Sequence, residues 1–353
     1  MANSIITATG SYIPDRKVPN QHFLNHEFYD EKGERIAKPT PEVVTKLQEI
    51  TGIQERRIAP DDLNTSDIAT LAAEKALANM DRETLDYIIV AQNFGDVSLA
   101  FRQTDMVPCI AARVKHNLRI KNPFTVAFDI PFGCPGWLQG TILADYLIKS
   151  GDAKRILVIG AEILSRVSDK FDMDCMIFAD GAGATLMEAT AENTGILNHL
   201  TRSDTYREAH LLNMGRSYQP ERTGQQLYIK MKGHEIYKYA ARQVPKTIKQ
   251  NLDNAGITLT EVKKILLHQA NEKMDNAMLN RLFKLYQIEE IPADIAPMII
   301  SWAGNSSVAT LPIMFDLIQR GKLPDHRLQP GDIVVFASVG AGMNTNSMIY
   351  RMP

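Results

Sequence analysis

One order of elements occurs twice in this chain of 353 residues, and it limits the fold more than any single motif does. In the first half a helix-forming stretch over 66–79 precedes a continuous apolar run at 87–92. A second run at 124–130 ends in a turn of small residues. A helix follows to Lys149, Gly151 closes it, and another apolar run occupies 155–162. In the second half a helical stretch at 235–251 precedes the run at 264–267. A strand-like segment at 298–302 leads into the small turn at 304–307, then a helix over 308–319 closed by Gly321, then the run at 332–338. Runs that are apolar at every position suit strands buried on both faces, and alternation with helices implies parallel or mixed sheets covered by helices. The chain therefore reads as two copies of one α/β unit that meet near residues 190–195, with halves 1–193 and 194–353. Residues 4–9 read as a first strand, Ser66 as the N-cap of the helix over 66–79, residues 106–118 as a helix, and 176–187 as two strands around a Gly-rich turn.

Length suffices for a large core, and 44% hydrophobic with 23% charged residues suits a soluble globular protein. A formal net charge of -2 gives no reason to expect nucleic-acid binding, and no apolar run approaches the length of a membrane span. The first residues lack the basic and apolar regions of a signal peptide. Three cysteines lie far apart without Cys-x-x-Cys spacing, which argues against a disulfide framework or a zinc site and for a reducing, cytoplasmic setting.

Within the repeat, Cys134 occupies the turn DIPFGCPGWLQG at 129–140, between a strand and a helix. Pro135 suits the first position of that helix, which would put Cys134 at the N-terminal mouth. There the dipole and free N–H groups favour negative charge and lower a thiol pKa. A buried, inert cysteine is the alternative. Asn305, in GNSS at 304–307, takes the equivalent place in the second half, where it could equally be a turn residue or cap. A pseudo-twofold would turn both helix mouths toward one cavity. His268 follows the apolar run at 264–267, at the carboxyl end of a strand, where ligands of α/β sheets gather. A thiol, a histidine and an asparagine thus each lie at a strand end of a duplicated fold.

With these residues the chain resembles the β-ketoacyl-acyl carrier protein synthase III family of the thiolase superfamily. The matching segments are TGSYIP at 9–14, TGIQERRI at 51–58, the Cys134 turn, ADGAGA at 179–184, HQAN at 268–271, GNSS at 304–307 and GAG at 340–342, in family order. The resemblance implies a thiolase-like fold, with duplicated halves layered α-β-α-β-α. It implies that Cys134 carries an acyl group taken from a thioester. His268 and Asn305 would hydrogen-bond the carbonyl of a malonyl-carrier thioester and stabilise the enolate formed as CO₂ leaves. The product of this decarboxylating Claisen condensation is a β-ketoacyl thioester of fatty acid synthesis. The N–H groups of Cys134 and of the turn containing Ala341 and Gly342 would form the oxyanion hole, and Asn271 would orient the site. No metal or redox cofactor is called for. The implied partners are acyl carrier protein, an acyl-CoA or acyl-carrier thioester, and a second copy of the chain in a homodimer.

Some positions depart from the family pattern. The Trp and Arg with which acyl-CoA-primed members grip CoA are missing from VVTKLQEIT at 43–51, and a second Arg is missing from SDKFDMD at 168–174, so a carrier-bound primer becomes plausible. Val107 stands where the family's dimer-crossing loop has a Phe, and Val339 replaces an aromatic residue beside the GAG turn. Both substitutions suggest a changed acyl pocket. A synthase of specialised metabolism that joins two longer acyl chains, of the dialkylresorcinol or aryl-polyene type, is one alternative, and a non-decarboxylating acyltransferase is another. Lys238, Lys273 and Arg281 fall at or near the family's carrier-docking positions.

Overall fold

The computed structural model describes residues 3–100 and 102–353. Two sheets form its frame. The first contains β1 (Asn3–Tyr12), β2 (Tyr87–Ala91), β3 (Val126–Ile130), β4 (Arg155–Ile163) and β5 (Asp180–Thr190), in the order β1-β5-β4-β2-β3. The pairs β2–β3 and β2–β4 are parallel, while β4–β5 and β1–β5 are antiparallel. The second sheet contains β6 (Gly195–Ser203) and three later strands. A hairpin, β7 (Leu212–Gly215) and β8 (Tyr228–Met231), pairs only with itself and stands outside both sheets. With β9 (Val262–Leu267), β10 (Ile333–Gly340) and β11 (Asn344–Arg351), the second sheet has the order β6-β11-β10-β9. The pair β9–β10 is parallel, and its other neighbours are antiparallel.

Helices fill the remaining layers. On the outer face of the first sheet lie α2 (Thr65–Ala76) and α3 (Ile110–Asn117), which follow α1 (Thr40–Thr51) in the chain. Between the sheets lies α4 (Gly136–Ser150). The second sheet is covered by α5 (Gly233–Ala255) and α6 (Glu272–Leu285), and α7 (Thr310–Gln319) joins α4 in the middle. The result is the expected α-β-α-β-α sandwich, with Trp137, Val158, Phe315 and Phe336 in the central layer. No helix among the described residues is long and apolar enough to cross a membrane.

Three local expectations are corrected. The helix over 66–79 begins at Thr65 with Asn64 as its cap, whose N–H reaches the Asp67 carboxylate at 2.8 Å. Ser66 lies inside the helix and bonds Asp96 through its N–H (2.8 Å) and hydroxyl (2.7 Å) instead. Gly181 and Gly183 form no turn: they lie inside the unbroken strand β5. A Cβ on Gly183 would stand 2.6 Å from the Pro312 Cβ, so the glycines let α7 lie directly on the strand. The segment 298–302 is not a strand but leads into a one-turn helix, Ile300–Ala303. Pro297 has no N–H to give a ladder. The Gln269 side chain occupies the remaining groups, donating to the Pro297 carbonyl (2.6 Å) and accepting from Ile299 N–H (2.9 Å).

Candidate active site at the junction of the two halves

Cys134 is fixed by the turn that joins β3 to α4. Gly133 has φ +67°, a conformation that suits glycine, and its N–H donates to the Asn93 Oδ1 at 2.8 Å. Gly136 N–H returns to the Gly133 carbonyl at 3.0 Å. Helix α4 starts at Gly136 with Pro135 as its cap, so Cys134 lies one step further outside the helix than Pro135 at N1 would put it. The end of β10 presses on this turn. A Cβ on Gly340 would lie 2.5 Å from the Cys134 nitrogen, and one on Gly133 would lie 2.7 Å from the Ala341 nitrogen. The two turns therefore touch backbone to backbone.

The second helix mouth reaches the same point. Ser307, with φ +53°, donates its hydroxyl to the Cys134 Sγ at 3.3 Å. Asn305 accepts the Ser307 N–H at 2.8 Å through Oδ1, and its backbone bridges to residues 177–179 of the first half. One residue therefore separates Asn305 from the residue touching the thiol, and the equivalence read from the repeat corresponds to physical convergence. Because Oδ1 is occupied, the Asn305 amide N–H₂ is the group it can offer to a ligand.

His268 extends the ladder of β9, its N–H donating to the Ala337 carbonyl at 2.9 Å. Along β9, Ile265 and Leu267 face the outer core while Leu266 faces the central layer. The alternation places His268 on the inner side, with α4. Its ring is buried, and Nδ1 has no hydrogen-bond partner among the described residues. Burial lowers its pKa to about 4, so the imidazole is neutral near pH 7.

The expected low thiol pKa is not what the structure supports. Cys134 is partly exposed through the cavity it lines, yet its sulfur is enclosed. Burial pushes the thiol up to about 11, while the Ser307 hydroxyl and the residue's own N–H pull it down. The helix mouth is outweighed by loss of water.

The cavity, about 170 Å³, is walled by Phe94, Leu212, Met214 and Ile229, with Asn93, Cys134, Ser307 and Ala341 at its polar end. Most of its apolar wall comes from the hairpin β7–β8. Lys230, on the opposite face of β8 from Ile229, is buried and pairs with Asp169 (2.8 Å) and Asp172 (3.0 Å). That pairing fixes the hairpin against the first half. The sequence marks neither the hairpin nor Asn93, and within GNSS it points to the asparagine and not to the serine that contacts sulfur. The run GNSS itself was the available signal for Ser307.

Other expected residues fall as follows. Ala341 lines the cavity and Gly342, with φ +104°, completes the turn beside it. Asn271 caps α6, its Oδ1 accepting Met274 N–H at 3.1 Å, so it orients a helix first. Val339 is no part of the cavity wall: alternation along β10 turns it outward into the core under α5 and α6, while Gly340 faces Cys134. Val107 is 87% exposed and also lies off the cavity of its own chain. Lys238 and Arg281 line a surface groove between α5 and α6 together with Arg242 and Lys284, whereas Lys273 is exposed on the first turn of α6, outside that groove. Among the described residues no cluster of His, Cys, Asp and Glu could hold a metal ion.

Comparison with known proteins agrees with this geometry. Residues 128–205 match the family model described as 3-oxoacyl-[acyl-carrier-protein (ACP)] synthase III, and residues 252–352 match that for its C-terminal part. A β-ketoacyl-[acyl-carrier-protein] synthase III of Halalkalibacterium halodurans is 32% identical, over 99% of this chain and 99% of the relative. One from Paracoccus denitrificans is 30% identical over 99% and 100%. The crystal structure of 3-oxoacyl-[acyl-carrier-protein] synthase III from Aquifex aeolicus VF5 superposes with a TM-score of 0.79 at 30% identity, covering 99% of this chain and 100% of that one.

Because the Ser307 hydroxyl stabilises the thiolate, Ser307→Ala should raise the thiol pKa further. Its loss should slow iodoacetamide alkylation of Cys134 at pH 8 by about twofold to tenfold, as expected for one hydrogen bond. Peptide mass spectrometry reads the rate, and an unchanged rate would remove Ser307 from the site.

Proposed function

This chain belongs to the 3-oxoacyl-[acyl-carrier-protein] synthase III family, and from that premise we propose that it joins an acyl group held on Cys134 to a malonyl-type thioester carried by acyl carrier protein, in fatty acid synthesis. The observation that carries the reading is the meeting of the two helix mouths at one cavity, with Ser307 on the Cys134 sulfur.

In the first half-reaction the Cys134 sulfur attacks the acyl thioester carbonyl, a new C–S bond forms, and the CoA or carrier thiol leaves with the proton given up by Cys134. The N–H groups of Cys134 and of the turn at Ala341 and Gly342 stabilise the oxyanion. In the second, the malonyl thioester carbonyl accepts hydrogen bonds from the neutral His268 ring and the Asn305 amide. Its C–C bond to the carboxylate breaks, CO₂ leaves, and the enolate carbon attacks the acyl-Cys134 carbonyl. Cys134 leaves as thiolate and takes up one proton from solvent, replacing the one that left with the first thiol. A neutral imidazole suits this work, since it donates one N–H from a buried ring throughout the neutral pH range.

The exposed cations Lys238, Lys273 and Arg281 offer a docking face for an acidic carrier, and Arg242 and Lys284 extend it along the groove. The reading takes a homodimer in the cytoplasm as the working unit, with each chain divided near residue 193. Supporting a dimer, β3 is the edge strand of the first sheet, Val126 on it is 47% exposed, and Phe124 just before it is 85% exposed. Val107 adds a further exposed apolar side chain.

Four measurements test these assignments. Intact-mass spectra after mixing with acyl thioesters should show one acyl adduct that Cys134→Ala abolishes. His268→Ala should keep the adduct yet lower CO₂ release from malonyl-carrier protein by about 10²-fold or more, and adduct formation on Cys134→Ala would overturn the mechanism. Lys238→Glu combined with Arg281→Glu should raise KM for the carrier-borne substrate about tenfold or more at low salt and leave kcat within about twofold, whereas an unchanged KM would move docking elsewhere. Sedimentation equilibrium should return twice the 39.5 kDa chain mass, and a monomer at working concentration would refute the dimer.

A further inference from the structure

A carboxylate lies behind the nucleophile with no part in the steps above. Glu162, near the end of β4, is fully buried. Its Oε2 accepts two hydrogen bonds from Asn93, from the side-chain amide at 2.7 Å and from the backbone N–H at 3.1 Å. The same Asn93 turns its Oδ1 to the Gly133 N–H at 2.8 Å, immediately before Cys134. Oε1 of Glu162 has no hydrogen-bond partner among the described residues. A buried carboxylate oxygen left without a donor is costly when charged and far less so when it belongs to a neutral acid.

We propose that Glu162 is a positioning residue for the nucleophile, holding the Gly133–Cys134 turn through Asn93 and governing by its own charge how readily Cys134 ionises. The inference rests on Cys134 as the nucleophile and adds a second group to its control. The titratable groups that face Glu162 among the described residues are Asp180 on β5 and Cys134 itself. Asn93 and the Phe94 backbone contribute neutral donors. Desolvation, with a smaller contribution from Asp180, pushes the Glu162 acid up to about 8. Asp180 is itself raised to about 6 by burial, so it is ionised and constant above that range. The sign follows. Below about pH 8 Glu162 is neutral and leaves Cys134 undisturbed. Above it the carboxylate charge opposes the thiolate, which is how Glu162 acts on the thiol. The turn is thereby most permissive of a thiolate when Glu162 carries its proton.

The test reads the thiol directly and needs no acyl transfer, so its failure is separate from failure of the condensation mechanism. Alkylation of Cys134 by iodoacetamide is followed by peptide mass spectrometry from about pH 6.5 to about pH 9.5. Glu162→Gln keeps an oxygen for Asn93 and removes the charge. The ratio of its rate to the wild-type rate should rise by roughly threefold or more across that range, with its midpoint near pH 8. Glu162→Ala, which also releases Asn93, should be slower than Glu162→Gln at every pH. A ratio independent of pH, or an alanine variant as fast as the glutamine variant, overturns the proposal. Should neither variant fold, the wild-type profile decides: a shoulder near pH 8 is expected, and a featureless rise through that region overturns it.

Discussion

The site depends on one close contact between main chains. Gly133 and Ala341 meet without a side chain between them, and Gly340 lies against the Cys134 backbone. A single methyl group at either glycine would force β10 away from the β3–α4 turn. The contact joins the carboxyl end of β10 in the second sheet to the Cys134 turn that follows β3 of the first. It puts the backbones of both turns at one end of the cavity that Cys134 and Ala341 line. Asn305 makes the reciprocal link, since its backbone pairs with residues 177–179 of the first half. Each half therefore completes the other's helix mouth, and neither alone would form the cavity.

Enclosure at this junction has a common electrostatic effect. It raises the Cys134 thiol, lowers the His268 imidazolium and raises the Glu162 acid. Three groups that could carry charge are thereby biased toward neutrality near pH 7. A neutral site suits chemistry in which the charge appears only transiently, on the oxyanion and the enolate. Fixed N–H donors in a largely enclosed site stabilise such charge without first having to release a counterion.

Much of this was readable from residue order. Continuous apolar runs mark β2, β4, β9 and β10, and the repeated spacing alone sets Cys134 and Asn305 at equivalent places. The failures have physical causes. Apolarity at 298–302 suggested a strand, but Pro297 and the Gln269 side chain took the backbone groups a ladder would need. Gly181 and Gly183 resembled a turn because their role is to admit Pro312 and Ile313 of α7, a contact between segments far apart in sequence. Val339 was placed in the pocket by its neighbourhood to the GAG turn, although strand parity sends it to the other face. Asn93 and Glu162 carry no local pattern at all: their importance arises from folding β2 and β4 side by side beneath the Cys134 turn.

The wall of the cavity is supplied by a hairpin that belongs to neither sheet. Leu212, Met214 and Ile229 project from β7 and β8, and the hairpin is fastened from behind by the Lys230 ion pairs with Asp169 and Asp172. Fastening and shaping are thus assigned to opposite faces of the same ribbon. Substitutions on the inward face can change the volume of the cavity while the ion pairs, Cys134 and both sheets stay as they are. The shape of the cavity is therefore a separable property of the chain: a few side chains on one face of the ribbon set it, and neither sheet need be repacked to alter it.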